Sequence, residues 1–486
     1  MRFYSFCVLL LLLVVTSCTD TPKVPLDNGT TQTQQLDSLF QFSYSNGLFN
    51  GAILITKNNT VLYKNAFGYA NEETKTRINT ESVFYIASVS KQFTAMGIML
   101  LQEKGKLSLE DKINDFFPDY PDYLQEVSIR QLLNHTSGIT DAAYYKLVHP
   151  SNKEVLDALF QQDTLSLKNG TTFHYSNSGY VMLALIIQKV SGQTIDQFFH
   201  QEIFEPLAMK NTTTSLQVEK IVNKVAGYNL FGKKVDYKSS VIGPGGIYST
   251  LEDLGKWNQA LNTYRLVSKT TLQEAFTNGK LQDGPISITI GRQKYGYGFG
   301  WMVFSKDGKQ YVQHDGTVES YRSLIHKDLT EGYDYIFLTN QGSRLAMNEL
   351  ITAIDLILNH SKYEVPKIPI TNKIVKEVGE QTLEKAFVNI QTALKQHPTD
   401  YNITENVINR LAYTYLRDTQ FKIAIEVFKL NVSLYPTSAN AFDSLGEGYF
   451  YDKQMNLAKE NFQKSIALDP SNKNAQAMFK RIEQGE

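Results

Sequence analysis

The chain has 486 residues, too many for a single hydrophobic core, so two or more domains are expected. Its 42% apolar and 20% charged residues describe an ordinary globular protein, and 48 basic against 49 acidic side chains leave no footprint for nucleic acid or an acidic partner. The 28 Tyr and 27 Phe suit packed cores and peptide or carbohydrate grooves alike, so they exclude nothing.

The N-terminus reads Met1-Arg2, an apolar run from Phe6 to Val15, then Val15-Thr16-Ser17-Cys18. One basic residue, a short apolar run and small residues make a secretory signal, too short for a stable membrane span. Val-Thr-Ser-Cys resembles the bacterial lipobox, so residues 1–18 are expected to be a lipoprotein signal peptide and Cys18 the lipidated residue. Removal of Cys7 with the signal leaves no disulfide, zinc–thiolate or cysteine-nucleophile chemistry. Residues 19–35, rich in Thr, Asp, Pro and Gln, read as a flexible tether.

Leu36 to Phe49 reads as a short amphipathic helix. Asn58-Asn59, between Gly51–Thr56 and Val61–Tyr63, signals a β-hairpin. Ile86 to Leu101 opens an apolar helix that ends near Gly105, and Asp115 to Tyr123 reads as a loop. A short helix at Val127–Leu133 precedes Asn134-His135-Thr136-Ser137-Gly138, and Tyr175-Ser176-Asn177 precedes a helix over Val181–Val190. Gly243-Pro244-Gly245-Gly246 is a turn into a helix over Glu252–Leu261, with Thr250 as N-cap and Asp253 completing an imperfect capping box. Strands run from Tyr295 to about Leu338, and Met347–Leu358 closes the unit as a helix. Tyr363 to Ile370, with Pro366 and Pro369, begins a linker. Beyond it, Leu411/Leu445, Ala424/Ala458 and Pro436/Pro470 recur at 34 residues, the tetratricopeptide period. Thr382–His397 reads as a degenerate leading helix pair or half-repeat, and Asn474–Gln484 as a cap.

The chemistry gathers in three motifs. Ser88 and Lys91 stand three apart at a helix start, on one face, where the dipole favours a developing anion. A hydroxyl needs a base, and an amine whose charge is disfavoured supplies one. Tyr175, beside a lysine, is expected to be held partly ionised and to accept the Ser88 proton, with Asn177 orienting Lys91 and contacting substrate. His314-Asp315-Gly316-Thr317 is the third motif: His314 would line one wall, Gly316 would let the backbone approach substrate, and the Thr317 amide would join that of Ser88 in an oxyanion hole. Each has a plain structural alternative: a capping serine with a solvated lysine, a core tyrosine, an Asp-Gly hairpin turn. Tyr44-Ser45-Asn46 repeats the spelling of the second motif, yet it precedes the serine. Order and combination favour the catalytic reading.

From about Leu36 to His360 the chain resembles the serine beta-lactamase and penicillin-binding-protein group, in its class C-related branch of D-aminopeptidases, DD-carboxypeptidases and carboxylesterases. Ser88-x-x-Lys91, Tyr175-x-Asn177 and His314-x-Gly316 fall in the family order. Phe84–Lys91, Leu132–Gly138, Gly245–Thr250 and Gly298–Trp301 resemble further family blocks. The resemblance implies that Ser88 is acylated, that Lys91 and Tyr175 shuttle its proton, and that the Ser88 and Thr317 amides hold the oxyanion. Where such beta-lactamases carry Lys-Thr-Gly, this chain has His-Asp-Gly, which shifts expectation from beta-lactams to esters or D-amino-acid peptides. No Gly-x-Ser-x-Gly elbow and no His-x-x-x-His pair point to an α/β-hydrolase or a metal hydrolase.

The expected architecture is α+β: a beta-lactamase/transpeptidase-like antiparallel sheet with flanking helices over residues 36–361, a linker over 362–378, and an all-α tetratricopeptide domain over 379–486. The expected function is a serine hydrolase of the bacterial envelope, lipid-anchored and facing the periplasm or exterior. No cofactor or metal is expected, and the repeats would either dock a peptide or protein partner or buttress the neighbouring domain. The alternatives are a slowly acylated penicillin-recognising sensor and a non-catalytic adaptor working through its repeats.

Overall fold

The computed structural model describes residues 31–119, 121–142, 144–235, 237, 239–341 and 347–485. The expected signal peptide, Cys18 and most of the expected tether lie outside the described residues.

The first helix, α1 (Gln32–Ser45), starts earlier than its apolar pattern indicates. Thr31 caps it in a reciprocal capping box: the Gln34 amide donates to Thr31 Oγ1 and the Thr31 amide to Gln34 Oε1. The last tether residues are therefore helical. Tyr44-Ser45-Asn46 is merely the end of α1.

Eight antiparallel strands form the main sheet: β1 (Gly51–Lys57), β2 (Thr60–Phe67), β3 (Ile288–Ile290), β4 (Gln293–Tyr297), β5 (Met302–Lys306), β6 (Lys309–Thr317), β7 (Arg322–Asp328) and β8 (Tyr333–Thr339). Their order is β3-β4-β5-β6-β7-β8-β1-β2, so the N-terminal hairpin closes onto the last strand. Asn58 and Asn59 both take positive φ, 48° and 67°, as a two-residue turn matched to strand twist requires. Along β1, Ile53 and Ile55 pack with Leu36, Phe40, Leu350 and Ile354, while Ala52 and Leu54 join the core on the opposite face. That period-two division makes a three-layer unit, with both faces of the sheet covered.

On the second face lie α2 (Ser90–Glu103), α3 (Asn177–Ser191) and α4 (Leu251–Asn262), while α5 (Met347–Leu358) packs beside α1. Helix α2 is the axis of this layer: every residue from Ser90 to Leu101 is buried. At Gly97 a Cβ would stand 2.8 Å from Ile187 Cδ1, so α2 and α3 cross closely because that side chain is absent. Phe93 stacks on Trp257 at 4.2 Å, and the indole donates to Gln92. Thr250 caps α4 through the Asp253 amide, but Asp253 does not complete a capping box; its carboxylate accepts from the Asn211 amide and Thr212. The loop expected over Asp115–Tyr123 includes the end of a short helix, Ile113–Phe116, and part of a 3₁₀ turn, Asp122–Leu124.

The C-terminal region is helical: α6 (Ile370–Glu380), α7 (Leu383–Gln396), α8 (Glu405–Arg417), α9 (Phe421–Leu434), α10 (Ala439–Tyr451), α11 (Met455–Leu468) and α12 (Lys473–Glu483). Half of the expected linker is therefore α6, which buries Ile370, Ile374 and Val375 in the C-terminal core. Helix starts recur at 34 residues, from 405 to 439 to 473 and from 421 to 455. A Cβ on Gly446 would stand 2.7 Å from the Phe462 ring, so α10 and α11 close on each other through that glycine. Among the described residues no helix is long and apolar enough to cross a membrane.

Candidate active site

Ser88 lies in a 3₁₀ turn, Ala87–Val89, that runs straight into α2. Across this junction Ser88 and Lys91, three residues apart, fall on one face. Ala87 takes φ 47°, left-handed for a residue with a Cβ. The turn is held from two sides. Phe84 and Tyr85 pair with Ser249 and Tyr248, and the Ile86 carbonyl accepts from Ser323 on β7.

Lys91 is fully buried. Its Nζ is 3.2 Å from Ser88 Oγ and donates to Asn177 Oδ1 at 2.9 Å and to the Pro244 carbonyl at 2.8 Å. It sits over the Tyr175 ring, 4.6 Å from the centroid. Burial pulls the amine down to about 7, against the opposing pull of Asp141 and Asp315. A neutral amine has two hydrogens and one lone pair. Two carbonyl acceptors take the hydrogens, so the lone pair is left for the Ser88 hydroxyl.

Tyr175 reaches Ser88 with its hydroxyl, yet its titration runs opposite to expectation. Burial pushes the phenol well above its ordinary value, and this outweighs the hydrogen bond to Ser88. The expected ionisation counts on a charged lysine neighbour, but burial outweighs it and the lysine itself loses its charge. Tyr175 rests as a neutral phenol beside an amine that loses its charge from about pH 7 upward.

His135, to which the sequence reading gave no role, braces Tyr175. Its Nδ1 accepts from the Ser176 amide, its carbonyl accepts from the His174 amide, and its ring lies 4.4 Å from the Tyr175 ring. Burial drives its pKa well down, so the ring is neutral. Asp141 also escaped the sequence reading. It accepts from the Asn177 amide and Nδ2, each at 2.9 Å, and from the Ser178 amide and hydroxyl. It therefore anchors the N-terminus of α3 and turns Asn177 Oδ1 toward Lys91. A lone aspartate in a loop, three residues beyond Gly138, carries no signal of this in the sequence.

The third motif is strand, not turn: His314, Asp315, Gly316 and Thr317 are the last residues of β6. Expected to line the wall, His314 lies instead behind it, 4% exposed, with Nε2 accepting from the Tyr297 hydroxyl at 2.9 Å and Nδ1 facing the Asp315 carbonyl. Burial, helped by Lys91, pulls it down to about 4, so it too is neutral. Tyr297 is a further participant that the sequence reading did not single out. At Gly316 a Cβ would meet the Ile86 carbonyl at 2.2 Å and the Ser88 amide nitrogen at 2.9 Å. β6 thus passes the nucleophile at backbone contact, with Thr317 beside Ser88 at the mouth.

Ser88 opens onto a cavity of about 200 Å³ walled by Tyr85, Tyr144, Tyr145, Tyr237 and Thr317. Among the described residues that line it, none carries a charge. Larger hollows elsewhere, one of about 700 Å³ beside His200 and Lys210, hold no comparable nucleophile–base pair.

The family profile described as Beta-lactamase matches residues 37–358. Penicillin-binding protein 4* of Bacillus subtilis (strain 168) is 31% identical over 366 residues, spanning 70% of this chain and 79% of that protein. Among solved structures, the octameric penicillin-binding protein homologue from Pyrococcus abyssi superposes with a TM-score of 0.61 at 26% identity, covering 71% of this chain and 81% of the other. D-amino acid amidase from Ochrobactrum anthropi SV3, complexed with D-phenylalanine, shares the fold with a TM-score of 0.59 at 22% identity, covering 68% and 99%. The profile match ends where α5 ends, so the helical unit lies beyond it.

Proposed function

Because the chain belongs to the beta-lactamase family, we propose that it is a serine hydrolase working through an acyl-enzyme on Ser88. One observation carries this reading: a fully buried Lys91 amine, pulled down to about 7, stands 3.2 Å from Ser88 Oγ while carbonyls occupy its other directions.

Ser88 Oγ bonds to the acyl carbon as its proton passes to Lys91 Nζ, directly or through the Tyr175 hydroxyl. The Ser88 and Thr317 amides take the oxyanion, aided by the N-terminus of α2. Collapse expels the alcohol or amine, which leaves with that proton. Water then attacks the ester, giving its proton to the same amine, and Ser88 departs with the proton returned. Asn177 orients Lys91, and His314 supports the site from behind through Tyr297.

The walls speak to substrate. A buried neutral His314 offers no counter-ion, and none of the described lining residues is charged, which supports uncharged substrates over an antibiotic carboxylate. An uncharged ester or a D-aminoacyl amide fits better, and the fold shared with a D-amino acid amidase makes such amides the first to offer. The helical unit, recurring at 34 residues, is read as tetratricopeptide repeats that dock a protein partner, and Cys18 as a lipid anchor in the bacterial envelope.

The test is hydrolysis by the mature chain beside Ser88→Ala. It uses a chromogenic short-chain ester, a D-alanyl dipeptide amide and a chromogenic cephalosporin, with intact mass recorded after each. Turnover lost in Ser88→Ala is the expected result. An adduct on Ser88 without turnover would replace the hydrolase by a sensor, and no adduct with any compound would overturn the nucleophile.

A further inference from the structure

The two ends of the main sheet differ. The hairpin turns at Asn58-Asn59, Gly291-Arg292, Asp307-Gly308 and 329–332 share one end. There the Asn58 amide donates to the Gly332 carbonyl, the Leu329 amide to the Gln310 carbonyl and Gln293 Nε2 to the Ser305 carbonyl. Ser88 stands at the other end. Strand β6 starts at Lys309 beside the turns and finishes at Gly316 and Thr317 against the nucleophile. At about 3.4 Å per residue, this strand separates turns from mouth by roughly 27 Å.

The chain enters the domain at the turn end. Thr33 Oγ1 donates to the Leu62 carbonyl, just past the Asn58-Asn59 turn, and Gln32 Nε2 to the Leu358 carbonyl at 3.0 Å. Helix α1 then follows β2, with Asp37 accepting from Tyr63 and the Tyr44 ring against that of Phe67. At its far end Asn372 on α6 donates to the Gly47 carbonyl, so the helical unit joins on the side away from the turns. From a lipidated Cys18, the twelve residues Thr19 to Thr30 reach at most about 40 Å to the N-cap Thr31. Turning the Ser88 mouth to the bilayer would take up about two-thirds of that reach, whereas the turn end can lie against the bilayer with all of it slack.

The side chains at the turn end suit a lipid surface. Val61, Ile290 and Leu329 are apolar and exposed on or beside the turns, and exposed Tyr264 lines a hollow with Asn59 and Leu329. Arg292, Lys294 and Lys306 are exposed among them. The exposed acids on these turns are Asp307 and Glu331, and Lys309 holds Glu331 at 3.6 Å. Apolar and aromatic side chains set among an excess of bases match the headgroup region of an anionic bilayer.

We infer that the turn end of the hydrolase domain is a lipid-facing surface that seats the anchored protein on an anionic bilayer, with the Ser88 mouth and the helical unit held away from it. The inference rests on the reading of Cys18 as a lipid anchor. The acyl substrate then reaches Ser88 from the aqueous side.

The experiment supplies the anchor chemically. The chain from Cys18 onward holds that one cysteine, so its thiol is coupled to maleimide-headgroup lipid in vesicles of phosphatidylcholine, with or without phosphatidylglycerol. Amide hydrogen exchange is compared with that of the uncoupled chain. With phosphatidylglycerol present, exchange over 57–62, 289–294, 305–310 and 328–332 is expected to slow about threefold or more, with 84–91 and α8–α12 unchanged. Val61→Asp, Ile290→Asp and Leu329→Asp together are expected to abolish this protection and to leave turnover of a soluble ester within about twofold, since all three side chains are exposed. No slowing at the turns, equal slowing on phosphatidylcholine alone, slowing at 84–91, or protection that survives the triple substitution would each overturn the inference. The anchor reading fails separately: protein recovered from cells with Cys18 unacylated by intact mass would overturn it, whatever the vesicles show.

Discussion

Gly316 and Ser88 meet backbone to backbone: a single added methyl on Gly316 would stand 2.9 Å from the Ser88 amide nitrogen and 2.2 Å from the Ile86 carbonyl. The strand that provides the Thr317 amide and the turn that provides the nucleophile are thus spaced by the absence of one side chain. Neither can yield freely, since Ser323 on β7 already holds the Ile86 carbonyl.

Gly316→Ala should therefore separate β6 from the nucleophile turn and break the oxyanion hole. Loss of such a donor costs turnover about 10²–10³-fold, while overpacking costs about 1–3 kcal/mol of stability. Steady-state kinetics beside thermal unfolding checks this. Full activity in a folded Gly316→Ala protein would show that the amides are not placed as argued.

The Lys91 titration should be visible in rate and in stability. Acylation needs the neutral amine, so kcat/KM should rise with pH and level off above about 7. Stability follows by linkage. The unfolded lysine keeps its proton up to its ordinary 10.5, whereas the folded one gives it up near 7. Between those values the unfolded state holds more protons, so raising pH across that window stabilises the fold. Lys91→Met lacks this contribution. The difference in melting temperature between it and the unaltered chain should change from pH 7 to 10 in the direction that favours the lysine. A constant difference would mean that the amine keeps its charge in the fold.

How much of this was legible in the sequence depended on how local the cause was. The Asn58-Asn59 turn, the Met347–Leu358 helix and the 34-residue recurrence are written in neighbouring residues, and each matches the structure. The order of Ser88, Lys91, Tyr175, Asn177, His314 and Gly316 let the motifs be found, and the fold brings all of them together. What stayed hidden depends on burial and on distant chain. Tyr175 was assigned the wrong direction of titration because its enclosure comes from His135, Tyr297 and His314, far apart in sequence. Helix α6 looks like a linker by its Pro366 and Pro369, yet the Ile370/Ile374 spacing is helical and proline beside a helix start breaks no hydrogen bond.

Tyr175→Phe keeps the ring under Lys91 and removes only the hydroxyl that reaches Ser88. If the neutral phenol relays the proton, turnover should fall by about 10²–10⁴ with the fold unchanged. The pH profile should still report the amine, because Tyr175 titrates far above it. A profile that loses its rise near 7 in Tyr175→Phe would return the role of base to the tyrosine.

Asp141 gives the last prediction, because it holds Asn177 and also pulls on the Lys91 amine by its charge. It gathers the Asn177 and Ser178 amides, the Asn177 side chain and the Ser178 hydroxyl. Asp141→Ala strands these donors, most of them buried, at about 1–3 kcal/mol for each one left unpaired. It also frees Asn177 to turn, taking an acceptor from Lys91. Asp141→Asn keeps the volume and part of the acceptance but replaces one oxygen by a donor that faces donors. The expected order of both unfolding midpoint and kcat is the unaltered chain, then Asn, then Ala. KM should change less than kcat, since Asp141 lies behind Asn177 and outside the cavity wall. Equal kcat in all three proteins, measured where all are folded, would leave Asp141 a brace for α3 and nothing more.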